Sequence, residues 1–550
     1  MMLYSVDSLA WNERAVFGYG WIISERSEID SVSLLLFTED AEAVKPQETF
    51  QCEYPVPRKD VEEYHSQYRA RALNSGWRVC GSIAGLKYQR VDIRVKLNDG
   101  TEEYIPRVAM QAQLKVPSVS AIESKARWLI FSGRKFIDLI ANRKYRYALE
   151  KLRSRFNFGH YDKLENQQAY AQLDELEIAD APWVLIVDHD MGGGANKFRE
   201  EIVRKYLSSK TNVIVLKNNL IKLSLTIDLR RELETKSFSL NRIVDFLLWL
   251  STKKIQALVY NNLVSYDTPF SVLKGLSQLK SSTDAELIIF VHDYFSVCPS
   301  PHLINSEGNF CKIPDPAVCA LCLSRNRRSF VPLYNRTSIE EWRNEWRQFY
   351  AVSDKIICFS ASSKVILENV FGSECTSDKL EVRPHVVAVS GAFRMRDVPS
   401  AAITVGVVGH INFEKGAHVI ERIVDYLESA RIDGSVVVIG SLESGRSSSR
   451  LKITGPYRPS DLAEWLDKTN VNICLVPSIC PETFSYVSQE LIELGVPVAS
   501  FDLGAPPERI RAYAKGHVLR CSPEADGGEI WSELEFFNNK VSNARGSRFH

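Results

Sequence analysis

The sequence has no excess of charge of either sign and no long hydrophobic run. Its 68 lysines and arginines equal its 68 aspartates and glutamates, so we expect no nucleic-acid partner. No apolar run approaches the roughly 20 residues of a membrane-spanning helix. The first residues lack the basic start and apolar core of a signal peptide. These absences predict a cytoplasmic protein.

A disulfide framework is not expected either. The 11 cysteines are odd in number and scattered over 550 residues, unlike the dense cysteines of small secreted domains. The remaining composition, with 45% hydrophobic and 25% charged residues, is that of an ordinary globular protein. The length predicts about three or four domains.

The hydrophobic pattern divides the chain into four segments. The first has β-branched and aromatic runs separated by turn residues, which predicts a small β-sandwich-like module. Two later segments alternate short apolar strands with helices, which predicts two Rossmann-like domains around a cleft and hence an α/β class. The β module, a basic helical linker and the two Rossmann-like domains are predicted at residues 1–112, 113–180, 181–392 and 393–550. The stretch near residues 530–539 is predicted to cross back onto the first lobe.

The linker contains basic amphipathic helices at residues 118–156. Its apolar residues recur at helical spacing between lysines and arginines. Such a helix can bind an anionic membrane surface peripherally, or it can pack its apolar face on a neighbouring domain. The β module likewise allows two interpretations, as a structural or docking unit or as a glycan-binding one.

The most specific motif is Pro481–Glu490, directly after a predicted buried strand. Glu482 precedes a helix and Glu490 lies within that helix, eight residues later. Backbone N–H groups at the start of a helix form a ready site for a diphosphate. The N–H groups in question belong to Thr483, Phe484 and Ser485. A carboxylate further along the helix can accept hydrogen bonds from two ribose hydroxyls.

A second motif, Gly406–Gly416, follows the first strand of the C-terminal domain. The strand ends in a turn at Gly409 and His410 and delivers Lys415 to the predicted cleft. A cation at that position can stabilise the charge that develops on a departing diphosphate.

Together these motifs resemble the retaining glycosyltransferases of family four, which have a GT-B fold. The resemblance covers residues 182–525 and is most specific in the C-terminal half. It implies that Glu490 binds the donor ribose, that Glu482 faces the donor sugar, and that Lys415 holds the diphosphate. The family commonly has an arginine where this sequence has His410, so His410 or Arg458 would have to complete the phosphate clamp.

The resemblance also assigns residues outside these two motifs. The glycine-rich turn with Gly193 and Gly194 would lie beside the donor phosphates and the acceptor. His292, at the end of another strand, becomes a catalytic candidate that contacts the donor sugar. Gly504 would let backbone N–H groups meet the donor, and Glu508 either shares that segment's role or complements a helix dipole.

A cysteine cluster occupies the loop after His292. Cys319 and Cys322 have zinc-knuckle spacing. Cys298 and Cys311 are near enough in sequence to complete a set of four sulfur ligands. The cluster is interpreted either as a structural zinc site or as four reduced thiols. No metal is expected in catalysis, because the resembled enzymes act without one.

The sequence therefore predicts a glycosyltransferase that uses a nucleotide-sugar donor, with retention of configuration. The expected acceptor is a glycan or a lipid-linked glycan of a surface polysaccharide such as an O-antigen. Two alternatives are a non-catalytic glycan- or nucleotide-binding protein and a sugar-nucleotide epimerase of the same fold.

Overall fold

A computed structural model describes most of residues 2–108 and 162–546, together with Gly133. Within those ranges the gaps are residues 12–14, 40–44, 57, 83–87, 165–169, 171–172, 179, 220–223, 233, 241–242, 267, 335, 373–377, 388, 390, 392, 394–401 and 444–445. The chain divides into unit 1, residues 1–121 with 159–288, and unit 2, residues 122–158 with 289–550. The basic helices predicted at residues 118–156 lie outside the described residues, apart from Gly133.

Unit 1 begins with two four-stranded antiparallel sheets, in the orders β1-β2-β6-β5 and β4-β3-β7-β8. Alternate side chains of both sheets, including Val16 and Trp77 in one and Leu34 and Ile93 in the other, share one hydrophobic core. The strands are β1 (Met2–Trp11), β2 (Ala15–Ser24), β3 (Ile29–Phe37), β4 (Glu48–Gln51), β5 (Glu53–Val56), β6 (Gly76–Ser82), β7 (Arg90–Leu97) and β8 (Glu102–Ile105), with helices α1 (Lys59–Tyr64) and α2 (Arg69–Leu73) before β6. The predicted β-sandwich-like module is confirmed.

The sheet that follows in unit 1 has the order β14-β10-β11-β12-β13-β9. Its members are β9 (Asp162–Leu164), β10 (Trp183–Asp188), β11 (Asn212–Asn219), β12 (Ser224–Arg230), β13 (Thr235–Leu240) and β14 (Ile255–Tyr260). Helices α3 (Gly194–Ser208), α4 (Ile243–Leu250) and α5 (Pro269–Ser282) connect or follow them. β10 is fully buried and pairs in parallel with β11 and β14, whereas β12 is antiparallel to both its neighbours.

The sandwich packs on this sheet's helices through aromatic and charged contacts. The Phe17 and Tyr170 rings meet edge to face at 5.2 Å. The Arg78 guanidinium lies 3.0 Å from the Asp174 carboxylate, which also pairs with Lys253. Because these charges are mostly buried and paired with one another, they fix the orientation of the sandwich relative to the rest of unit 1.

Strand β15 (Glu286–Val291) spans the boundary between the units. In unit 2 it is followed by α6 (Pro316–Arg325), α7 (Val331–Tyr334), α8 (Ile339–Val352), β16 (Lys355–Cys358), α9 (Ala361–Phe371) and β17 (Leu380–Val382). The three strands have the order β17-β16-β15. β16 and β17 are parallel, and α9 connects them.

A second sheet in unit 2 has the order β20-β19-β18-β21-β22-β23, with every pair parallel. This is the 3-2-1-4-5-6 order of a Rossmann sheet. Its strands are β18 (Ile403–Ile411), β19 (Gly434–Leu442), β20 (Leu451–Ile453), β21 (Ile473–Val476), β22 (Val498–Ser500) and β23 (Gly516–Val518). Its helices are α10 (Ala417–Ser429), α11 (Leu462–Lys468), α12 (Tyr486–Glu493), α13 (Ala505–Ala512) and α14 (Gly527–Gly546).

The predicted α/β class with Rossmann-like parallel sheets is confirmed. The four domain ranges stay a prediction. The described contacts of α14 are with this second sheet: Trp531 and Leu534 are buried in the same core as Val405 and Ile423. None of the described helices has both the length and the apolarity that a bilayer crossing requires.

Candidate functional site

The candidate site lies where the strand order of the second unit 2 sheet reverses. β18 and β21 are neighbours there, yet their chain continuations run to opposite sides of the sheet. The loop after β18, residues 412–416, is called here the lysine loop. The loop after β21, residues 477–485, is called the glutamate loop. Both leave the carboxyl ends of parallel strands, where open α/β sheets bind their ligands.

The lysine loop turns so sharply that it requires glycine at one position. Gly416 has φ +83°, and a Cβ there would lie 2.0 Å from the carbonyl oxygen of Pro477 in the glutamate loop. The Lys415 N–H donates to Asn412 Oδ1 at 3.0 Å. The Lys415 side chain itself is exposed and forms no salt bridge with any residue that the structure describes. Its charge is therefore available to a ligand.

The glutamate loop holds Glu482 from both its side chain and its backbone. The Ser478 hydroxyl donates to the Glu482 carboxylate, and the Ala505 N–H donates to the Glu482 carbonyl at 2.9 Å. Gly504, at φ +68°, lies so close that a Cβ there would be 2.6 Å from the Glu482 nitrogen. Gly504, predicted to meet the donor, thus brings its backbone against the loop that carries Glu482.

Cys480 of the glutamate loop is buried, and its thiol donates to the Glu414 carbonyl of the lysine loop at 3.7 Å. Burial raises the pKa of its thiol well above the usual value, Glu482 and Glu414 add to that shift, and Lys415 opposes it. The Ile479 N–H donates to the Glu414 carbonyl at 3.1 Å. The fold therefore brings the loops that carry Lys415 and Glu482, which are 67 residues apart in sequence, into backbone contact.

Helix α12 begins at the end of the glutamate loop. The Ser485 hydroxyl caps it by accepting the Ser488 N–H at 3.4 Å. Within the described chain, the N–H groups of Thr483, Phe484 and Ser485 donate to no backbone carbonyl. The segment just before α12 thus has N–H groups near the positive dipole end of the helix, where the sequence predicted a diphosphate.

Glu490 is half-buried on α12, and Tyr457 is half-buried in the loop after β20. Burial raises the pKa of the Tyr457 phenol, and the Glu490 charge raises it further. Tyr457 was not predicted, because it belongs to a loop after β20 whose only local signal is the Gly455-Pro456 turn. Glu490 offers a carboxylate that can accept hydrogen bonds from hydroxyl groups.

His292 is joined to the glutamate loop through its backbone, because the Thr483 hydroxyl donates to the His292 carbonyl at 2.8 Å. Its half-buried ring lies 4.7 Å from the Phe359 ring and 5.8 Å from that of His385. His385 in turn stacks on Tyr486 and meets Phe484 edge to face. His385 was not predicted, since a single histidine after Pro384 gives no local signal.

Glu508 contacts a different helix from the one in which it lies. It lies in the first turn of α13, but its carboxylate accepts the N–H groups of Ala361 and Ser362, at 3.1 and 2.6 Å. These are the first residues of α9, so Glu508 complements the dipole of a helix 147 residues away in the chain. The contact ties the β15–β17 region to the second sheet inside unit 2.

Removing the contact between Glu508 and the start of α9 should destabilise unit 2. We expect Glu508→Ala to lower the free energy of unfolding by about 1–3 kcal/mol, because two N–H groups at a helix start lose a charged acceptor. Thermal denaturation of the full chain measures the effect. Glu464→Ala, at an exposed i,i+4 pair with Lys468, is the control and should cost under about 0.5 kcal/mol. Equal melting temperatures for the two variants would contradict the assignment.

His410 occupies the position where the resembled family commonly has arginine. It is exposed at the end of β18, and its Nδ1 lies 2.6 Å from the Ser441 hydroxyl at the matching position of β19. Behind it Gly409 and Gly440 are in backbone contact, since a Cβ at Gly440 would lie 2.0 Å from the Gly409 carbonyl oxygen. His410 therefore stands at the carboxyl edge of the sheet, within reach of a ligand bound to the lysine loop.

The glycine turn of unit 1 is fixed by its own polar network. Gly193, at φ +89°, is the N-cap of α3, and a Cβ there would meet no atom within 4 Å. Asn196 accepts the Gly192 N–H at 2.6 Å and donates to Asp188, and the Arg199 guanidinium also donates to Asp188 at 3.1 Å. Gly193 thus has open space beside a turn fixed by hydrogen bonds, and Gly194 is the first residue of α3.

Unit 2 brings His292, Lys415, Glu482, Glu490 and the α12 start to connected loops. Gly193 and Gly194 belong to unit 1. The ligand roles of all these residues stay predictions. The four cysteines, Cys298, Cys311, Cys319 and Cys322, all line one cavity beneath α6.

No protein-family model matches this chain, and no curated protein sequence matches it. Solved structures similar to it include HepE from Anabaena in complex with UDP-glucose, with 14% identity and a TM-score of 0.39 over 66% of this chain and 90% of HepE. The lipopolysaccharide outer core galactosyltransferase WaaB has 13% identity and a TM-score of 0.41, over 66% and 91%. A glycosyltransferase from Rickettsia africae has 14% identity and a TM-score of 0.39, over 66% and 89%. At TM-scores below 0.5, the fold assignment depends on the strand order given above.

Proposed function

We propose that this protein is a GT-B glycosyltransferase that transfers a sugar from a nucleotide-sugar donor to a glycan or lipid-linked glycan. The observation that carries the proposal is the pairing of the lysine and glutamate loops at the switch point of a Rossmann sheet. The two loops meet where the Ile479 N–H donates to the Glu414 carbonyl at 3.1 Å and Gly416 approaches Pro477, and the α12 start and Glu490 follow directly. A cation, a helix N-terminus and carboxylates are the groups that can bind the diphosphate and the hydroxyl groups of a nucleotide-sugar.

Each group has a distinct task in this proposal. Glu490 accepts hydrogen bonds from the ribose hydroxyls, and the first turn of α12 holds the diphosphate. Lys415 stabilises the charge that develops on the diphosphate as the bond to the sugar breaks. Glu482, positioned by Ser478 and Gly504, faces the sugar. His292, which the Thr483 contact joins to the same loop, approaches the sugar from the β15 side.

Retention of configuration by a front-face reaction is part of the proposal. We place the acceptor among lipid-linked or surface polysaccharides. The amphipathic segment 118–156 would then bring the enzyme to the cytoplasmic face of a membrane. Failure on every polyprenyl-linked acceptor tested would contradict this choice of acceptor, although it would leave the donor assignment intact.

A specific observation supports the non-catalytic alternative. His410 is exposed and close to Ser441, and it carries a full positive charge only when protonated. A site with one cation instead of two would bind a nucleotide more readily than it would cleave a donor. An epimerase would differ from both, because it would convert its donor with no acceptor present.

Donor binding through Glu490 gives the direct test. We expect one of UDP, GDP and dTDP to bind saturably, and Glu490→Ala to raise its Kd about 10- to 100-fold, because hydrogen bonds to a charged group contribute about 1.5–3 kcal/mol. Calorimetry of the full chain measures this loss.

Glu493→Ala is the matched control for that experiment. Glu493 lies one turn later on α12 and accepts a hydrogen bond from Gln489 at an exposed position, so its loss should leave nucleotide affinity unchanged. Equal affinities for wild type and Glu490→Ala would show that the ribose is held elsewhere. Binding of none of the three nucleotides by the wild type would reject the proposed function.

A further inference from the structure

The proposed function leaves the cysteine cluster unused. It lies on helix α6 and on the loop between β15 and α6, residues 292–315, called here the cysteine loop. Cys298, Cys311, Cys319 and Cys322 come from three separate turns of chain, and all four line a cavity of about 310 Å³. Cys319 and Cys322 stand at i and i+3 on α6, so they share a helix face. The five other described cysteines lie elsewhere, each buried in a different part of the chain.

The sulfur atoms in this cavity have hydrogen-bond donors. The Ser300 N–H points to Cys298 Sγ and the Ile313 N–H to Cys311 Sγ, each at 3.4 Å. The side-chain amide of Asn326 lies 4.0 Å from Cys322 Sγ. N–H groups directed at sulfur are the usual outer support of metal-bound thiolates, whereas in the metal-free chain the Cys319 thiol donates to the Pro314 carbonyl at 3.5 Å.

The backbone directly after Cys311 has an uncommon conformation. Lys312 and Ile313 have φ +51° and +55°, a left-handed conformation that is uncommon for non-glycine residues and an outlier for β-branched isoleucine. These two residues turn the Ile313 N–H back toward Cys311. A conformation that costs about 1–3 kcal/mol persists only where the surrounding structure enforces it.

The same segment supports the lysine loop. The Arg328 guanidinium lies 3.9 Å from the centre of the Phe413 ring, and the Ser329 hydroxyl donates to Glu414 at 3.2 Å. Ile304, from the middle of the cysteine loop, is buried in the same core as Val405 of β18. A group that fixes the cysteine loop and α6 therefore also fixes Phe413 and Glu414, the two residues before Lys415 in the lysine loop.

We propose that Cys298, Cys311, Cys319 and Cys322 form a structural zinc site that holds the cysteine loop against the lysine loop. Thiolates in a set of four are typical zinc ligands, with Zn–S distances of about 2.3 Å. As placed, no group of three or more His, Cys, Asp or Glu residues in the described chain has metal-ligand spacing. The proposal therefore requires the four sulfur atoms to draw together around the ion. Zinc here is structural, and no step of the sugar transfer passes through it.

Metal analysis of the full chain, purified under reducing conditions without chelator, tests the proposal. We expect about one zinc ion per chain in the wild type and less than about a tenth of that in Cys319→Ser/Cys322→Ser. Cys52→Ser removes a buried thiol in the core of the β sandwich, outside the cavity lining, and should keep its zinc. Because metal content is measured without any donor, the result is independent of the proposed function.

Cobalt substitution of the wild type covers the case in which the cysteine variants do not fold. We expect a strong thiolate-to-cobalt charge-transfer band, abolished by added zinc, and a fall in melting temperature after chelation that zinc reverses. Absence of both zinc and the cobalt band would overturn the proposal. So would mass-spectrometric detection of a disulfide between any two of the four cysteines in the native protein.

Discussion

Lys415→Ala is expected to lower donor turnover about 100- to 1,000-fold, the loss observed when one preorganised group that stabilises a developing charge is removed. The reason is the position of Lys415 at the carboxyl end of β18, with an exposed side chain and a backbone fixed by Asn412 and Gly416. In the proposed reaction the diphosphate gains negative charge only as the sugar departs. The main effect should therefore fall on kcat, with a smaller effect on KM.

Release of nucleotide from the donor, with and without acceptor, measures this effect. Lys415→Arg should recover part of the activity, because it restores the charge although not the geometry of the ammonium group. Lys468→Ala is the control, since Lys468 forms an exposed pair with Glu464 on α11 and should turn over donor like the wild type. A Lys415→Ala enzyme with unchanged kcat would remove this residue from the transition state and favour the non-catalytic alternative.

The buried parallel strands of the central sheets could be predicted from the sequence. β10 and β21 are buried on both faces, so each reads as a continuous apolar run bounded by turn residues. The sequence pattern did not predict the antiparallel insertion of β12 and β13, whose runs SLTIDLR and TKSFSL mix polar and apolar residues. Such short, half-polar strands give a weak signal, and their pairing depends on β11 beside them.

The site shows the same division between local and tertiary information. Lys415-Gly416 and the Glu482–Glu490 spacing are local patterns that follow strands, so they could be read from sequence. The contact of Glu508 with α9, the stacking of His385 on Phe359 at 3.8 Å and the influence of the Glu490 charge on Tyr457 depend on chain segments far apart in sequence. No local pattern encodes such contacts, and for this reason the sequence did not reveal them.

Gly504→Ala should disable the site without touching any charged group. Gly504 has φ +68° and ψ −145°, close to a region that essentially only glycine adopts. A Cβ there would also lie 2.6–2.7 Å from Glu482 N and O and from Pro481 C, which are rigid backbone atoms. The glutamate loop must therefore move. Because a displacement of about 1 Å can cost about 100-fold in rate, we expect turnover to fall by that order.

Gly372→Ala separates this effect from backbone strain alone. Gly372 ends α9 with φ +76° and ψ 174°, so alanine suffers a similar conformational cost there, yet its Cβ would meet no atom within 4 Å. We expect both variants to lose melting temperature, with Gly504→Ala about 1–3 kcal/mol less stable than Gly372→Ala because of the added overlap. Only Gly504→Ala should lose donor turnover. If both variants lost turnover equally, general destabilisation would explain the result, and the close approach of Gly504 to Glu482 would have no specific role in holding the carboxylate toward the sugar.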